Sequence, residues 1–171
     1  MNASVNNRQP NIRVAHSGFT LIELMVTIAV LAIIVSIAAP SISTQLANQR
    51  VKSTASIIES ALKEAKAESI IRRQNITVRY ETSGTSKKID LHTGITNTSS
   101  TNISSHNISE QSVVSITPAT VTTVVFQPNK LIAGDDEILY SICDSGSTNE
   151  TLGQVRVNKI ANINTTNTGG C

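Results

Sequence analysis

The sequence is poor in the residues that build ligand pockets. It has no tryptophan, and its aromatics are Phe19, Phe126, Tyr80 and Tyr140, while serine, threonine, asparagine, isoleucine and valine are abundant. Such a composition suits pleated strands and polar loops better than a deep cavity for a small substrate. Histidine is scarce too, at His16, His92 and His106. With no nucleophile, base and acid set in view, hydrolase chemistry has no visible parts and no enzyme is expected. No cofactor or metal is expected either: Asp135, Asp136 and Glu137 are consecutive, point in different directions and lack the spaced ligands of a calcium loop, so they read as a solvated turn.

Net charge is small and unevenly placed. The formal +2 comes from Arg8 and Arg13, which precede a long apolar run; without that segment twelve basic groups face twelve acidic ones. From Arg50 to Lys88 nine bases meet Glu59, Glu64, Glu68 and Glu81, whereas from Glu110 onward six acids meet three bases. No global nucleic-acid signal follows.

The 171 residues leave room for one modest domain plus an anchor. Residues 1–17 are polar and free of acids. Phe19 to Ala39 then forms an apolar stretch which, as a helix, reaches roughly 31 Å, the hydrocarbon thickness of a bilayer. Two arginines lie before it and no charge follows until Arg50, so the N-terminus should stay cytoplasmic and the bulk should be exported. Glu23 sits inside this stretch, where a lone carboxylate costs on the order of 3 kcal/mol at mid-bilayer. An ordinary secretory signal, with small residues at Ser36 and Ala38, explains neither the length of the run nor that charge.

Gly18-Phe19-Thr20-Leu21-Ile22-Glu23 resembles the prepilin peptidase recognition motif of type IV pilins and type II secretion pseudopilins. The resemblance implies that residues 1–18 are a leader cut after Gly18 by a prepilin peptidase and methyltransferase. It implies N-methylation of Phe19 and a role in filament assembly for Glu23. Physical chemistry agrees, because cleavage creates a cationic amine at a helix start, and in a helix bundle the carboxylate of one subunit can neutralise the amine of its neighbour.

Past the span, Pro40 should kink the helix. The helix then resumes, with Ala47, Val51, Ala55, Ile58, Leu62, Ala65 and Ser69 recurring at spacings of three and four as a narrow stripe of mostly small side chains. Glu59 with Lys63 and Glu68 with Arg72 form supporting pairs on the exposed side. Residues 40–74 are therefore expected to continue the helix, and residues 75–171 to form a β-rich head. Strands are expected over Ile76 to Tyr80, Lys87 to Leu91, Val113 to Thr117, Val121 to Phe126, Ile138 to Cys143 and Gln154 to Ile160, as an antiparallel sheet with one face on the helix. Thr93 to Gln111 reads as a mobile loop or a polar hairpin. Its Asn-X-Ser/Thr triplets at Asn97, Asn102 and Asn107 arise by composition.

Cys143 and Cys171 follow a membrane-targeting segment, so a periplasmic disulfide is expected in preference to two free thiols or half of a metal site. Closing a loop of this length stabilises by roughly 3 to 4 kcal/mol. Ala39-Pro40-Ser41, Asn48-Gln49-Arg50-Val51 and Ala65 to Asn75 resemble GspH/FimT-type minor pilins and pseudopilins, which implies an α+β, pilin-like fold, often with a C-terminal disulfide. Some FimT-type pilins bind DNA through a Gly-Arg-X-Arg motif. Here the stretch reads Gly153-Gln154-Val155-Arg156, so the first arginine is missing and Arg156 and Lys159 are the residues left to meet nucleic acid.

The expectation is a non-enzymatic minor pilin in the inner membrane, joining an initiating or tip complex with other minor and major pilins. A minor pseudopilin H of a type II secretion system is the near alternative, and a DNA-binding minor pilin for natural transformation the further one. Gly18→Ala should strongly slow removal of the leader, seen as a retained higher-mass band; normal processing of that variant contradicts the peptidase reading.

Overall fold

The computed structural model describes residues 18–83, 86–94, 101–134 and 137–171, the side chains of 38–40 and 83 excepted. The leader up to Ser17, Asn97, the Asp135-Asp136 pair and the side chain of Pro40, where a kink is expected, lie outside the described residues. The chain divides into two compact units, 1–39 and 40–171. Its elements run α1 (Leu21–Arg72), β1 (Ile76–Ser83), β2 (Ser86–Thr93), β3 (Asn102–Ile108), β4 (Ser112–Thr117), β5 (Thr123–Phe126), β6 (Ile138–Asp144), β7 (Thr151–Val157) and β8 (Ile163–Gly170).

In the first unit α1 is apolar on every side. Leu21, Ile22, Leu24, Met25, Val26, Ile28 and the aliphatic residues through Ile37 all stand exposed. A helix without a polar face belongs inside a bundle or a membrane rather than in water. Its few hydroxyls are satisfied locally: Thr27 Oγ1 donates to the Leu24 carbonyl and Ser36 Oγ to the Ile33 carbonyl, each at 2.8 Å. Such back-bonding removes the cost of an unpaired hydroxyl in apolar surroundings. Among the described residues no single helical segment is long and apolar enough to cross a membrane; Leu21–Ile37 together with Ser41–Arg72 meets that requirement in length and composition.

In the second unit the same helix has one buried stripe. Ala47, Val51, Ala55, Ile58, Leu62, Ala65 and Ser69 are all buried, at the spacing read from the sequence. Lys63 pairs with Glu59 at 2.5 Å, and Arg72 pairs with Glu68. The helix stops at Arg72, because Arg73 adopts a left-handed conformation (φ 54°), the geometry that ends a helix by turning the chain away from its axis.

Two four-stranded antiparallel sheets follow, in the orders β3-β2-β1-β5 and β4-β6-β7-β8. The sequence suggests one sheet; splitting the strands in two lets each use the helix stripe as its inner partner. Ile76, Val78, Ile89, Leu91, Val124 and Phe126 of the first sheet share one core with Ile138, Tyr140, Ile142, Val155 and Val157 of the second and with the stripe.

One strand, β8, runs where none is expected, and β3 lies in a stretch with two readings. β3 occupies part of the stretch read as a mobile loop or a polar hairpin, and pairs antiparallel with β2 from Lys87↔Ile108 to His92↔Asn102, as the hairpin reading has it. β8, Thr- and Asn-rich, pairs with β7 from Val157↔Ile163 to Thr151↔Gly170. Both are edge strands held by the backbone ladder of a neighbour, which apolar alternation does not report. β7 also starts earlier than expected and stops at Val157, because Ala161 takes φ 50° in the turn that leads to β8.

The second sheet approaches α1 closely at Gly153. A Cβ there would stand 2.7 Å from Val51 Cγ1 and 3.7 Å from Ala55 Cβ. Gly153→Ala should therefore destabilise the fold by about 1–3 kcal/mol through overpacking. The measurement is a denaturant midpoint of the detergent-solubilised chain. Gly170→Ala, whose new Cβ meets nothing within 4 Å, should leave that midpoint in place.

Candidate functional site

The N-terminal motif is laid out for access. Gly18 and Phe19 precede the helix and are exposed, and a side chain at Gly18 would meet nothing within 4 Å. Thr20 is the helix cap: its Oγ1 accepts the Glu23 N–H at 3.3 Å and its carbonyl accepts the Leu24 N–H at 3.2 Å. Glu23 thus occupies the third position of the first turn, where unpaired backbone N–H groups favour a carboxylate. The sequence reading passed over Thr20, although threonine followed three residues later by glutamate is the signature of such a cap.

At the other end, the tail is closed onto the head. Cys143, near the end of β6, is bonded to Cys171, which follows β8, with 5.9 Å between their Cα atoms. The Cys171 N–H donates to the Glu150 carbonyl at 3.3 Å. Glu150 itself is buried, and its Oε1 accepts the Asp144 N–H at 2.9 Å. Burial pushes the Glu150 carboxyl up, but hydrogen bonds led by that N–H outweigh it and leave it below the usual value.

Asp144 carries the strongest polar tie between helix and sheet. Arg50 holds it in two-pronged fashion, Nε to Oδ2 at 2.6 Å and Nη2 to Oδ1 at 3.0 Å, and the Gly146 N–H adds a third bond at 2.9 Å. The guanidinium, more than the opposing burial, keeps the Asp144 carboxyl below its ordinary range. Hydrogen bonding to Asp144 raises Arg50 in turn. Two residues earlier on the helix, Asn48 Oδ1 accepts the Thr151 N–H at 2.7 Å.

The remaining sequence candidates fall apart as a group. Arg156 pairs with Glu137 at 3.2 Å on the exposed surface, so its charge is already countered, and Gly153 is spent on packing against α1. Lys159 is engaged within the chain. His106 Nε2 faces Glu64 Oε2 at 2.9 Å and also meets the Ser104 hydroxyl at 3.5 Å, so acid and hydroxyl share one ring nitrogen and are not relayed across the imidazole; the Nδ1 of His92 is buried without a hydrogen-bond partner. Open grooves lined by Ile42, Gln45, Leu46 and Gln49, and by Arg79, Tyr80, Glu81, Thr82 and Thr122, gather no catalytic set. Among the described residues, Cys143, Glu150 and Cys171 bring three metal-capable atoms within 4.8 Å. Sequence spacing hid that grouping, because Glu150 joins the cysteines only through the β6–β7 turn.

Residues 13–39 match the prokaryotic N-terminal methylation motif. No curated protein sequence matches the chain. Among solved structures, the chain is similar to the type IV minor pilin FimU of Pseudomonas aeruginosa in two crystal forms. In one the TM-score is 0.57 at 17% identity, covering 70% of this chain and 98% of that one. In the other it is 0.59 at 16% identity, covering 72% and 96%. The minor pseudopilin EpsH from the type II secretion system of Vibrio cholerae is similar with a TM-score of 0.55 at 10% identity, covering 69% of this chain and 97% of that one. The chain thus carries a prokaryotic N-terminal methylation motif and a pilin-like fold similar to those of a type IV minor pilin and a minor pseudopilin.

The Arg50–Asp144 pair makes stability depend on acid. Because the folded-state value of Asp144 is depressed, its contribution is complete above the ordinary value of 3.8 and disappears as pH falls through the lowered one. Thermal unfolding followed from pH 7 downward should show the midpoint dropping below about pH 4. Asp144→Asn should melt earlier at pH 7 and fall less steeply in acid, keeping the part of the slope owed to Glu59, Asp90 and Glu150, whose values are likewise lowered.

Proposed function

We propose that this chain is a structural minor pilin of a type IV pilus that joins an initiating or tip complex for filament assembly. It enters the inner membrane with its N-terminus in the cytoplasm and its head in the periplasm, is cut between Gly18 and Phe19 by the prepilin peptidase, and is methylated at the new Phe19 amine. The observation that carries this reading is the exposure of apolar side chains on all sides of α1 from Leu21 to Ile37, within the matched methylation motif. Such a surface is stable only within lipid or among like helices. Glu23 gives the transfer from lipid to filament its sign, because its carboxylate is costly in an isolated anchor and favourable once a neighbouring subunit's Phe19 amine lies against it.

A second reading, a minor pseudopilin of a type II secretion system, draws support from the likeness to EpsH. Deletion of the gene distinguishes the two: loss of surface pili favours the first, and retention of a normally secreted protein in the periplasm favours the second. DNA capture through Arg156 and Lys159 draws less support, since Glu137 already occupies Arg156.

Glu23→Ala should leave the mature chain starting at Phe19, as read by intact mass, yet abolish its incorporation into filaments or lower it by tenfold or more, the order expected when an ion pair in apolar surroundings loses one partner. Filament output equal to wild type from a correctly processed Glu23→Ala chain overturns the assembly role. An intact mass that starts elsewhere than Phe19 in the wild-type chain overturns the prepilin reading itself.

A further inference from the structure

Glu150 is a buried carboxylate with unfinished business. Its side chain is 1% exposed, its Oε1 is fixed by the Asp144 N–H, and its Oε2 is buried with no hydrogen-bond partner. Buried oxygens are rarely left bare, because the lost hydration is not returned by any other contact. The turn between β6 and β7 is organised through Oε1, with the residue's own N–H and the Ser147 hydroxyl also favouring the charged carboxylate. What lies beside the residue is the Cys143–Cys171 bridge: both sulfurs and a Glu150 carboxylate oxygen fall within 4.8 Å of one another. The Arg50 guanidinium, which lies on the other side of the same turn, is taken up by both oxygens of Asp144.

We infer that, once the bridge is opened, Cys143, Cys171 and Glu150 form a binding site for a thiophilic divalent cation of the Zn2+ type. Two thiolates and one carboxylate are a donor set suited to such an ion, with water filling the fourth tetrahedral position. The three donors come from separate places in the chain, the end of β6, the turn before β7 and the residue after β8. The same framework that holds the bridge therefore holds them when it is open. Glu150 is oriented in advance, because the Asp144 N–H pins one oxygen and leaves the other to the metal, the kind of outer support that tunes a metal ligand. Cys171 is exposed, so a reductant can reach the bridge and the side chain has room to adjust.

The chemistry balances in two steps. A phosphine and one water convert the S–S bond to two thiols, the water giving both protons to sulfur and its oxygen to the phosphine, which leaves as its oxide; a dithiol does the same by thiol exchange and leaves as its own disulfide. The cation then displaces both thiol protons into solvent and binds the two thiolates with the Glu150 carboxylate. Bridge and metal are mutually exclusive, so the tail is closed either covalently or through an ion.

The test uses the full chain in detergent, reduced with a phosphine that does not itself ligate, and Co2+ as the spectroscopic probe. Reduced wild type should bind one Co2+ per chain with a thiolate-to-cobalt charge-transfer band and the intense visible bands of four-coordinate cobalt, both lost on adding Zn2+. Native mass spectrometry of the reduced chain with Zn2+ should show the mass of one zinc less two protons. Cys143→Ser should abolish the charge-transfer band. Glu150→Gln, checked for a native circular dichroism spectrum, should bind roughly ten- to a hundredfold more weakly; should that variant fail to fold, the wild-type mass shift and charge-transfer band decide the matter alone. Absence of the band in the reduced wild type overturns the inference, as does undiminished affinity in folded E150Q. Equal binding by the bridged chain marks an adventitious surface cation and overturns it as well.

Discussion

Everything in the head depends on one narrow stripe of helix. From Ala47 to Ser69, α1 turns small or aliphatic side chains inward, and that modest profile lets two sheets share a single helix as their common wall. Gly153 marks how close the approach is. Around the stripe the helix is tied by polar contacts that advance along its length: Asn48 to Thr151, Arg50 to Asp144, Thr54 to Ser112 at 2.7 Å, Glu59 to Thr165 at 2.8 Å, Glu64 to His106, Lys66 to the Ala161 carbonyl at 2.8 Å. These contacts reach β7, β6, β4, β8 and β3 in turn. Apolar packing sets the distance between helix and sheets, and the polar ties set the register, since each is satisfied at one sliding position of the sheets along α1.

The same helix obeys a different rule before Ala39, and the sequence states the change plainly. Before it, the apolar residues are continuous; after it, they recur every three or four positions. That contrast made the anchor, the stripe and the paired Glu59–Lys63 and Glu68–Arg72 legible in advance, because helical periodicity is a local property. Six strands were also legible from their branched and aromatic residues. β3 was legible only as the hairpin alternative to a loop, and β8 was not legible at all, since Asn102–Ile108 and Ile163–Gly170 carry little apolar alternation and owe their form to the edges of β2 and β7. The division into two sheets was hidden for a related reason: which strand pairs with which is decided by the shape of the shared core.

Chemically informative residues showed the same split between local and distant. The Gly18–Glu23 motif can be read off the chain, and the cap at Thr20 had a local signal as well. Glu150 had none, because its significance comes from the turn that brings it to two cysteines far off in sequence. Gly153 shows the opposite hazard. Read with its neighbours it suggests half of a nucleic-acid motif, whereas in the fold it is the point where the second sheet touches Val51 and Ala55, and Arg156 on the outer face is answered by Glu137.

The bridge from Cys143 to Cys171 has a mechanical corollary. The ring it closes spans 28 positions and contains β7 and β8 whole. If the chain is drawn out from its N-terminal side, extension ends at Cys143, and the residues past it contribute no contour length, withholding roughly 95 Å at the spacing of an extended backbone. A pull that strips α1 away from the sheets thus leaves behind a covalent hoop of two neighbouring strands, from which the native edge can zip back when the tension is released.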